Sequence, residues 1–161
     1  AEARGTEELV VANQNSPAQS VASGDIAAVE RLESVARARR IRAVRLGVAG
    51  AFHSELMRPA VQPVLDALDE VELRDPAVPL AENVTGELVT DAVRLRTLVG
   101  QQVVSPVRWE TGVRNLLAAG AEALLEAGAG DVLTKLLKRI DPDARGVAIG
   151  APEAAVAALT A

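Results

Sequence analysis

Short apolar runs alternate along this chain with longer segments in which apolar residues recur at helical spacing. Residues 9–12 and 42–48 have the length and composition of β-strands. Between them, Ile26, Val29 and Leu32 follow a helical period behind Asp25, a residue type that favours the position just before a helix. A strand, a helix and a strand in this order predict an α/β fold.

The rest of the chain continues the alternation. Pro59 and Pro63 remove backbone donors, so the helix expected after Ser54 should be kinked or begin late. Asp91 is expected to cap a further helix, and Gly120 to end another. The expected helices are residues 54–68, 91–103, 107–119, 131–140 and 153–159, the further strands are residues 20–23, 78–81, 123–125 and 146–150, and polar turns are expected at residues 13–17 and 82–86.

Composition excludes several classes of protein. The chain has 161 residues, 49% of them hydrophobic and 24% charged, which is the balance of a globular domain. Its net charge of −5 and its 1% of aromatic residues argue against nucleic-acid binding, which needs a basic surface and often stacking rings. We therefore expect no nucleic-acid partner.

The chain contains no cysteine and one histidine. Disulfides, thiolate nucleophiles and cysteine-ligated zinc are thereby excluded, and a site with several histidine ligands is impossible within this chain. No apolar stretch reaches the length of a membrane span, and the charged start of the chain does not have the pattern of a secretory signal. These features predict a cytoplasmic protein with no membrane partner, no metal and no bound cofactor.

His53 lies where an expected strand gives way to a helix, and histidine is the residue type that titrates nearest neutral pH. It is the candidate general base, and a partly exposed junction histidine without a role is the alternative. A base needs a nucleophile to act on, but none of the six serines lies in the Gly-x-Ser-x-Gly turn that would expose its hydroxyl. Ser54, next to His53, is expected to cap the following helix.

A glycine loop, residues 128–130, precedes an expected helix. It is interpreted either as an anion-binding loop at the positive end of the helix dipole or as a tight turn from strand to helix. Because Asp131 at the helix start would repel an anion, the sequence favours the turn.

Five arginines lie in a short stretch with no acidic residue among them: Arg37, Arg39, Arg40, Arg42 and Arg45. They form either a surface for an acidic or phosphorylated partner or a solvated helix end, where cations stabilise the C-terminus. The sequence leaves both interpretations open.

Residues 50–60, Gly-Ala-Phe-His-Ser-Glu-Leu-Met-Arg-Pro-Ala, resemble the catalytic-histidine segment of the malonyl-CoA:acyl-carrier-protein transacylases and of polyketide synthase acyltransferase domains. Residues 11–19, 83–84, 102–109 and 126–133 resemble further blocks of that family, in the same order. The resemblance implies the C-terminal part of an acyltransferase fold, with an α/β-hydrolase-like large subdomain and a partial ferredoxin-like small subdomain. We expect residues 1–48 to belong to the small subdomain and residues 49–161 to the large one.

The resemblance implies ping-pong transfer of a malonyl group. A serine takes it from malonyl-CoA, a coenzyme A thioester, and passes it to the phosphopantetheine thiol of an acyl carrier protein. His53 corresponds to the base, and the main-chain carbonyl of Gln102 to the group that holds its other ring nitrogen. Asn13 and Asn15 correspond to a loop at the pocket, and Phe52 to the bulky residue of malonyl-selecting domains. The five arginines become candidates for docking the carrier protein.

Several parts of the family pattern have no counterpart in this chain. They are the nucleophile motif Gly-His-Ser-x-Gly, the arginine that pairs with the malonyl carboxylate, the oxyanion-hole donors, and the first strand and helix of the small subdomain. We therefore expect the chain to act with a complementary N-terminal segment that carries the serine, and to be inactive alone. A non-catalytic module that docks an acyl carrier protein is the alternative. Ala129 and Asp131 also stand where the family usually has Pro and Lys, so we expect the details of carrier-protein docking to differ from the family's.

Overall fold

The computed structural model describes residues 7–150, and α-helices alternate in it with β-strands as the sequence predicts. The helix expected at residues 153–159 lies outside the described residues. The strands are β1 (Leu9–Ser16), β2 (Gln19–Gly24), β3 (Leu80–Ala81), β4 (Leu88–Val89), β5 (Ala123–Ala127) and β6 (Arg145–Ile149). The helices are α1 (Ile26–Ala38), α2 (Val61–Asp69), α3 (Ala92–Gln102), α4 (Trp109–Ala118) and α5 (Val132–Ile140).

The strands form three separate pairs within the described residues. β1 and β2 form an antiparallel hairpin, and β3 and β4 a second, very short one. β5 and β6 are parallel and are joined by α5, which packs against both. None of the helices among residues 7–150 is long and apolar enough to cross a lipid bilayer.

β1 continues through residues that the sequence assigned to a turn. Asn13 and Asn15 lie in this strand and not in a loop, so the prediction of a turn at residues 13–17 is wrong. The reason is a second backbone partner: the amide of Gln14 donates to the carbonyl of Val107, and the amide of Val107 donates to the carbonyl of Ala12, each at 2.8 Å. These bonds satisfy the backbone that a turn would otherwise leave to side chains.

Residues 42–48 do not form the expected strand, and this prediction is wrong. A strand needs a neighbour for its backbone N–H and C=O groups, and no described residue pairs with this segment. The segment has no regular secondary structure, and Ile41, Val44, Leu46 and Val48 are each more than half exposed.

Helix α1 begins where expected, but its N-terminus is built differently. The side chain of Asp25 makes no cap to α1 and accepts a hydrogen bond from the amide of Glu8 at 2.8 Å. Ile26, predicted on the inward face, is 74% exposed, while Ala28 and Ala36 are buried. The narrow face of α1 that packs inward is therefore lined by small side chains.

The prolines delay the helix after Ser54, as the sequence predicts. Residues Glu55–Ala60 form a 3-10 helix that contains Pro59, and α2 begins only at Val61, which confirms the late start. Asp91 caps α3 as predicted, accepting from the amide of Arg94 at 2.6 Å. The strand expected at residues 78–81 is only two residues long and is half-exposed at Leu80, because its partner β4 is equally short.

Two clusters of buried side chains hold these elements together. One joins α4, α5 and the loop before β6 through Val113, Leu137, Ile140 and Ala144. The other joins β4 to α3 through Val89, Leu95 and Leu98. The second cluster anchors α3, the helix whose C-terminus forms part of the site described next.

Candidate active site around His53

His53 lies in a tight turn, residues 51–54, between the irregular segment at residues 42–48 and the 3-10 helix at Glu55–Ala60. Its backbone is in the left-handed region, with φ at +62°. That region is uncommon for residues other than glycine, and residues held in it cluster at active sites and ligand-binding sites. The side chain is half-buried.

The ring of His53 contacts the end of α3. Its Nδ1 lies 3.0 Å from the carbonyl oxygen of Gln102, the last residue of that helix. Carbonyls in the last turn of a helix have no partner within the helix. This oxygen also accepts a longer hydrogen bond, 3.4 Å, from the amide of Ser105, and its second lone pair is available to the ring of His53. A carbonyl oxygen can only accept, so the proton must lie on Nδ1 of the neutral ring, and Nε2 carries the lone pair.

Three contacts fix the position of the Gln102 carbonyl. The segment after α3 is bonded to β1 through Val107, and the amide of Arg108 donates to the carbonyl of Asn83 at 2.8 Å. On the other side, α3 packs closely on α2: a Cβ atom at Gly100 would lie 2.6 Å from Cδ2 of Leu65. A larger residue at position 100 would require the Leu65 side chain to shift, so glycine permits this close packing of α3 on α2.

Glu82 organises the turn that carries Asn83. Its buried carboxylate accepts hydrogen bonds from the amides of Val84 and Thr85, at 2.7 and 2.6 Å, and from the hydroxyl of Thr85. Burial alone would raise the pKa of Glu82, but the hydrogen bonds from Thr85 and Val84 outweigh it and the pKa is lowered. The sequence indicated only a polar turn here and gave no sign of this role.

The other predicted site residues are spread around this centre. Asn13 is joined to it through Val107, whereas Asn15, further along β1, makes no side-chain hydrogen bond to His53 in the described part of the chain. Phe52 precedes His53 and is 48% exposed, with its ring close to Gly50. The structure thus brings His53 and the Gln102 carbonyl into contact, and it leaves the ring of Phe52 partly open to solvent.

The arginine cluster is divided in two by its partners. Arg45 donates to both carboxylate oxygens of Glu33, at 2.9 and 2.8 Å, and these bonds lower the pKa of Glu33. Arg37, Arg40 and Arg42 are exposed, and Arg40 and Arg42 form no ion pair among residues 7–150. An open depression of about 330 Å³ lies among them, lined by Glu33, Arg37, Ile41, Arg42 and Ala43.

The glycine loop at residues 128–130 is bonded to β6, because the amide of Gly128 donates to the carbonyl of Ile149 at 3.2 Å. Glu126 accepts from the amides of Leu133 and Thr134, at 3.0 and 2.8 Å, so the first turn of α5 already has an anion. The amide of Leu133, together with that of Thr134, holds the pKa of Glu126 below its ordinary value. The structure therefore favours the tight turn over an anion-binding loop.

Comparison with known proteins supplies the class of this fold and site. A malonyl CoA-acyl carrier protein transacylase of Bacillus subtilis is 35% identical over 144 residues, which is 89% of this chain and 45% of that protein. The enzyme of that name from Synechocystis is 41% identical over 136 residues, 84% of this chain and 46% of that protein. No protein-family model matches the chain.

Solved structures agree with the sequence relatives. The malonyl-CoA:acyl carrier protein transacylase of Xanthomonas oryzae superposes with a TM-score of 0.92 at 33% identity, over 99% of this chain and 51% of that one. A malonyl-transacylase solved with a type II polyketide synthase acyl-carrier protein gives 0.92 at 32% identity, over 99% of this chain and 52% of that one.

The fold is thus that of the malonyl-group acyltransferases. By sequence and by fold the chain belongs to the malonyl CoA-acyl carrier protein transacylase family, which confirms the resemblance. It spans about half the length of the curated relatives it matches.

The carboxylate of Glu82 is expected to stabilise the fold only when ionised. Because its pKa is lowered in the fold, its contribution is complete above the ordinary value of 4.5 and is lost as the pH falls through the lower folded value. Glu82→Gln should reduce the free energy of unfolding by about 1–3 kcal/mol at neutral pH, with a smaller difference at acid pH.

Urea denaturation of the chain across this pH range measures the effect, and Glu70→Gln, a change at an exposed carboxylate, is the control. An equal loss from Glu82→Gln at every pH would contradict the assignment.

Proposed function

We propose that this chain supplies the general base of a malonyl transferase, His53, which acts on a serine outside residues 1–161. The observation that carries the proposal is the 3.0 Å contact between Nδ1 of His53 and the carbonyl oxygen of Gln102. Because the carbonyl keeps the ring proton on Nδ1, the lone pair of Nε2 is available to accept a proton. The names of the relatives support malonyl-CoA as donor and an acyl carrier protein as acceptor.

Both halves of the reaction use the same nitrogen. Nε2 of His53 takes the proton of the serine hydroxyl while the serine oxygen bonds to the thioester carbon of malonyl-CoA. The carbon–sulfur bond breaks, and coenzyme A leaves as a thiol with that proton. Nε2 then takes the proton of the phosphopantetheine thiol, whose sulfur attacks the malonyl-serine ester. The ester bond breaks, and the proton returns to the serine oxygen.

The Gln102 carbonyl takes the place that a carboxylate has in many serine hydrolases. In the cation that forms transiently on His53, both ring nitrogens carry protons, and the carbonyl dipole accepts from the one on Nδ1. A carbonyl carries no full charge and cannot itself be protonated at neutral pH. It therefore orients the ring and leaves the proton on Nδ1. The proposed reaction uses no cofactor.

The nucleophile is assigned to a complementary N-terminal segment. Ser54 is 1% exposed and donates its hydroxyl to the carbonyl of Ala51, so it cannot attack a substrate. Ser16 and Ser23 are also buried, and Ser34 donates to the carbonyl of Glu30. Neither Ser20 nor Ser105 is hydrogen-bonded to His53 among residues 7–150. The length of the relatives, about twice that of this chain, leaves room for such a segment. We expect this chain alone to be inactive.

The incompletely covered β5–β6 pair supports the proposal of a complementary segment. β5 and β6 form a parallel pair of two strands, whereas parallel sheets are normally larger and covered on both faces. Beside this pair, a cavity of about 170 Å³ is lined by apolar side chains of α4, β5 and α5, and Nε1 of Trp109 has no partner among the described residues. We assign residues 49–161 to a large subdomain completed there, and residues 1–48 to a partial small subdomain.

Substrate choice is assigned to Phe52. Its ring precedes the base in the chain and is half-exposed, so it can border a bound acyl group. A bulky ring leaves less space for a malonyl group substituted at its central carbon, although one apolar contact gives only modest discrimination. Malonyl is therefore the preferred acyl group in the proposal.

Loss of the base should slow malonyl transfer strongly and leave the fold intact. His53→Asn is the sharpest variant, because asparagine tolerates the left-handed backbone and can still donate to the Gln102 carbonyl, yet has no basic nitrogen. In the enzyme reassembled with the serine-bearing segment, His53→Asn and His53→Ala should each lower kcat by about 10²–10⁴-fold. Transfer of malonyl from malonyl-CoA to carrier protein measures this, and a near-normal rate in His53→Asn would overturn the role.

We further propose that the exposed arginines bind the acyl carrier protein. Arg37 and Arg42 line an open depression whose acidic residue, Glu33, is already engaged by Arg45, and Arg40 is exposed beside them in the chain. Arg39 and Arg45 belong to the same cluster, and their intramolecular contacts make them supporting members. The neighbour solved with its acyl-carrier protein supports this kind of partner. A docking module without catalysis would use the same surface.

Neutralising these arginines should weaken carrier-protein binding more than chemistry. The triple change Arg37→Gln, Arg40→Gln and Arg42→Gln should raise KM for the carrier protein several-fold, leave KM for malonyl-CoA unchanged and reduce the salt dependence of binding. Arg74→Gln, an exposed arginine in another part of the chain, is the control. An unchanged KM for the carrier protein in the triple variant would contradict the proposed docking surface. If the chain binds the carrier protein and His53→Asn transfers malonyl at the normal rate, the non-catalytic docking module would be favoured.

A further inference from the structure

The left-handed backbone of His53 has a free-energy cost that other contacts must offset. For a residue with a side chain, this conformation costs about 1–2 kcal/mol relative to the ordinary regions. The contact with Gln102 is made by the ring and does not bond the backbone of the turn directly. Some other group must therefore close the turn on which His53 lies.

The hydroxyl of Ser54 closes that turn. Its Oγ donates to the carbonyl of Ala51 at 2.6 Å, a bond that spans Phe52 and His53. Ser54 is 1% exposed, so its hydroxyl lies in the protein interior. A hydroxyl this deeply buried is costly unless it is bonded, so the bond and the turn stabilise one another.

The backbone of Ser54 fixes the other end of the same turn. Its carbonyl accepts from the amide of Met57 at 3.0 Å and so begins the 3-10 helix at Glu55. The side chain does not cap that helix, although the sequence predicted this role. Ser54 thus joins the turn to the helix by its carbonyl and closes the turn by its hydroxyl.

From these contacts we propose that Ser54 is a positioning residue for His53. Its hydroxyl, through the Ala51 carbonyl, holds the turn in the form that aims Nδ1 of His53 at the Gln102 carbonyl. Ser54 acts through this geometry and never touches the substrate. The effect on catalysis rests on the proposed function, whereas the effect on the ring does not.

The tautomer of His53 tests the proposal directly. The chain has one histidine, so its ring nitrogens give unambiguous signals in a ¹⁵N spectrum. In mildly alkaline buffer the neutral ring of the unchanged chain should be protonated on Nδ1. In Ser54→Ala the ring should lose its hydrogen bond to the Gln102 carbonyl and adopt in large part the Nε2-protonated form that free histidine prefers.

A matched control separates this effect from the loss of any serine hydroxyl. Ser34 also donates to a backbone carbonyl, that of Glu30 at 3.0 Å, but it is exposed on α1. Ser34→Ala should leave the tautomer unchanged. If Ser54→Ala loses its folded amide spectrum, Ser54→Cys serves the same comparison, because it fills the same space with a much weaker donor. An unchanged Nδ1-protonated ring in a folded Ser54 variant would overturn the proposal.

Kinetics in the reassembled enzyme distinguish this proposal from the proposed function. Ser54→Ala should lower kcat about 10–100-fold with little change in KM for malonyl-CoA, because the base is misdirected while binding is unaffected. Normal kcat in Ser54→Ala together with an inactive His53→Asn would refute positioning by Ser54 and leave the base assigned. A shifted tautomer in Ser54→Ala together with normal transfer in His53→Asn would refute the base and leave the positioning intact.

Discussion

The hydrogen bond from Nδ1 of His53 to the carbonyl oxygen of Gln102 is the constraint on which the site depends. It joins two parts of the chain, residues 53 and 102, that only the tertiary fold brings together. A backbone carbonyl cannot rotate independently of its helix, so the ring orientation is fixed by the end of α3 and not by a mobile side chain. On this bond we base the proposal that the chain offers a positioned base to a serine outside residues 1–161.

The surrounding elements serve to hold the two ends of this bond. The end of α3 is held by close packing at Gly100, by the pairing of Val107 with β1, and by the turn that Glu82 organises. The His53 end is held by a turn whose buried hydroxyl is that of Ser54. Much of the site is thus made from backbone groups, which explains how a chain with one histidine and no cysteine can build it.

Local features of the sequence predicted local structure well and distant contacts poorly. The cap at Asp91, the late start of α2 at the prolines and the helical periods depend on neighbouring residues, and the structure has them. The strand at residues 42–48 failed because a strand depends on a partner that adjacent residues do not specify. The extension of β1 depends on Val107, almost a hundred residues away. The carbonyl of Gln102 carries no side-chain signal, so only the family resemblance pointed to it.

The most direct test of the central claim is to locate the malonyl group on the enzyme. The polypeptide that contains this sequence, isolated from its source with any associated chain, is incubated with malonyl-CoA and analysed by intact mass and peptide mapping. If His53 serves a serine elsewhere, we expect a malonyl-serine outside residues 1–161 that is discharged when carrier protein is added. Malonylation of a serine within these residues, or transfer to the carrier protein with no acyl-enzyme, would contradict it.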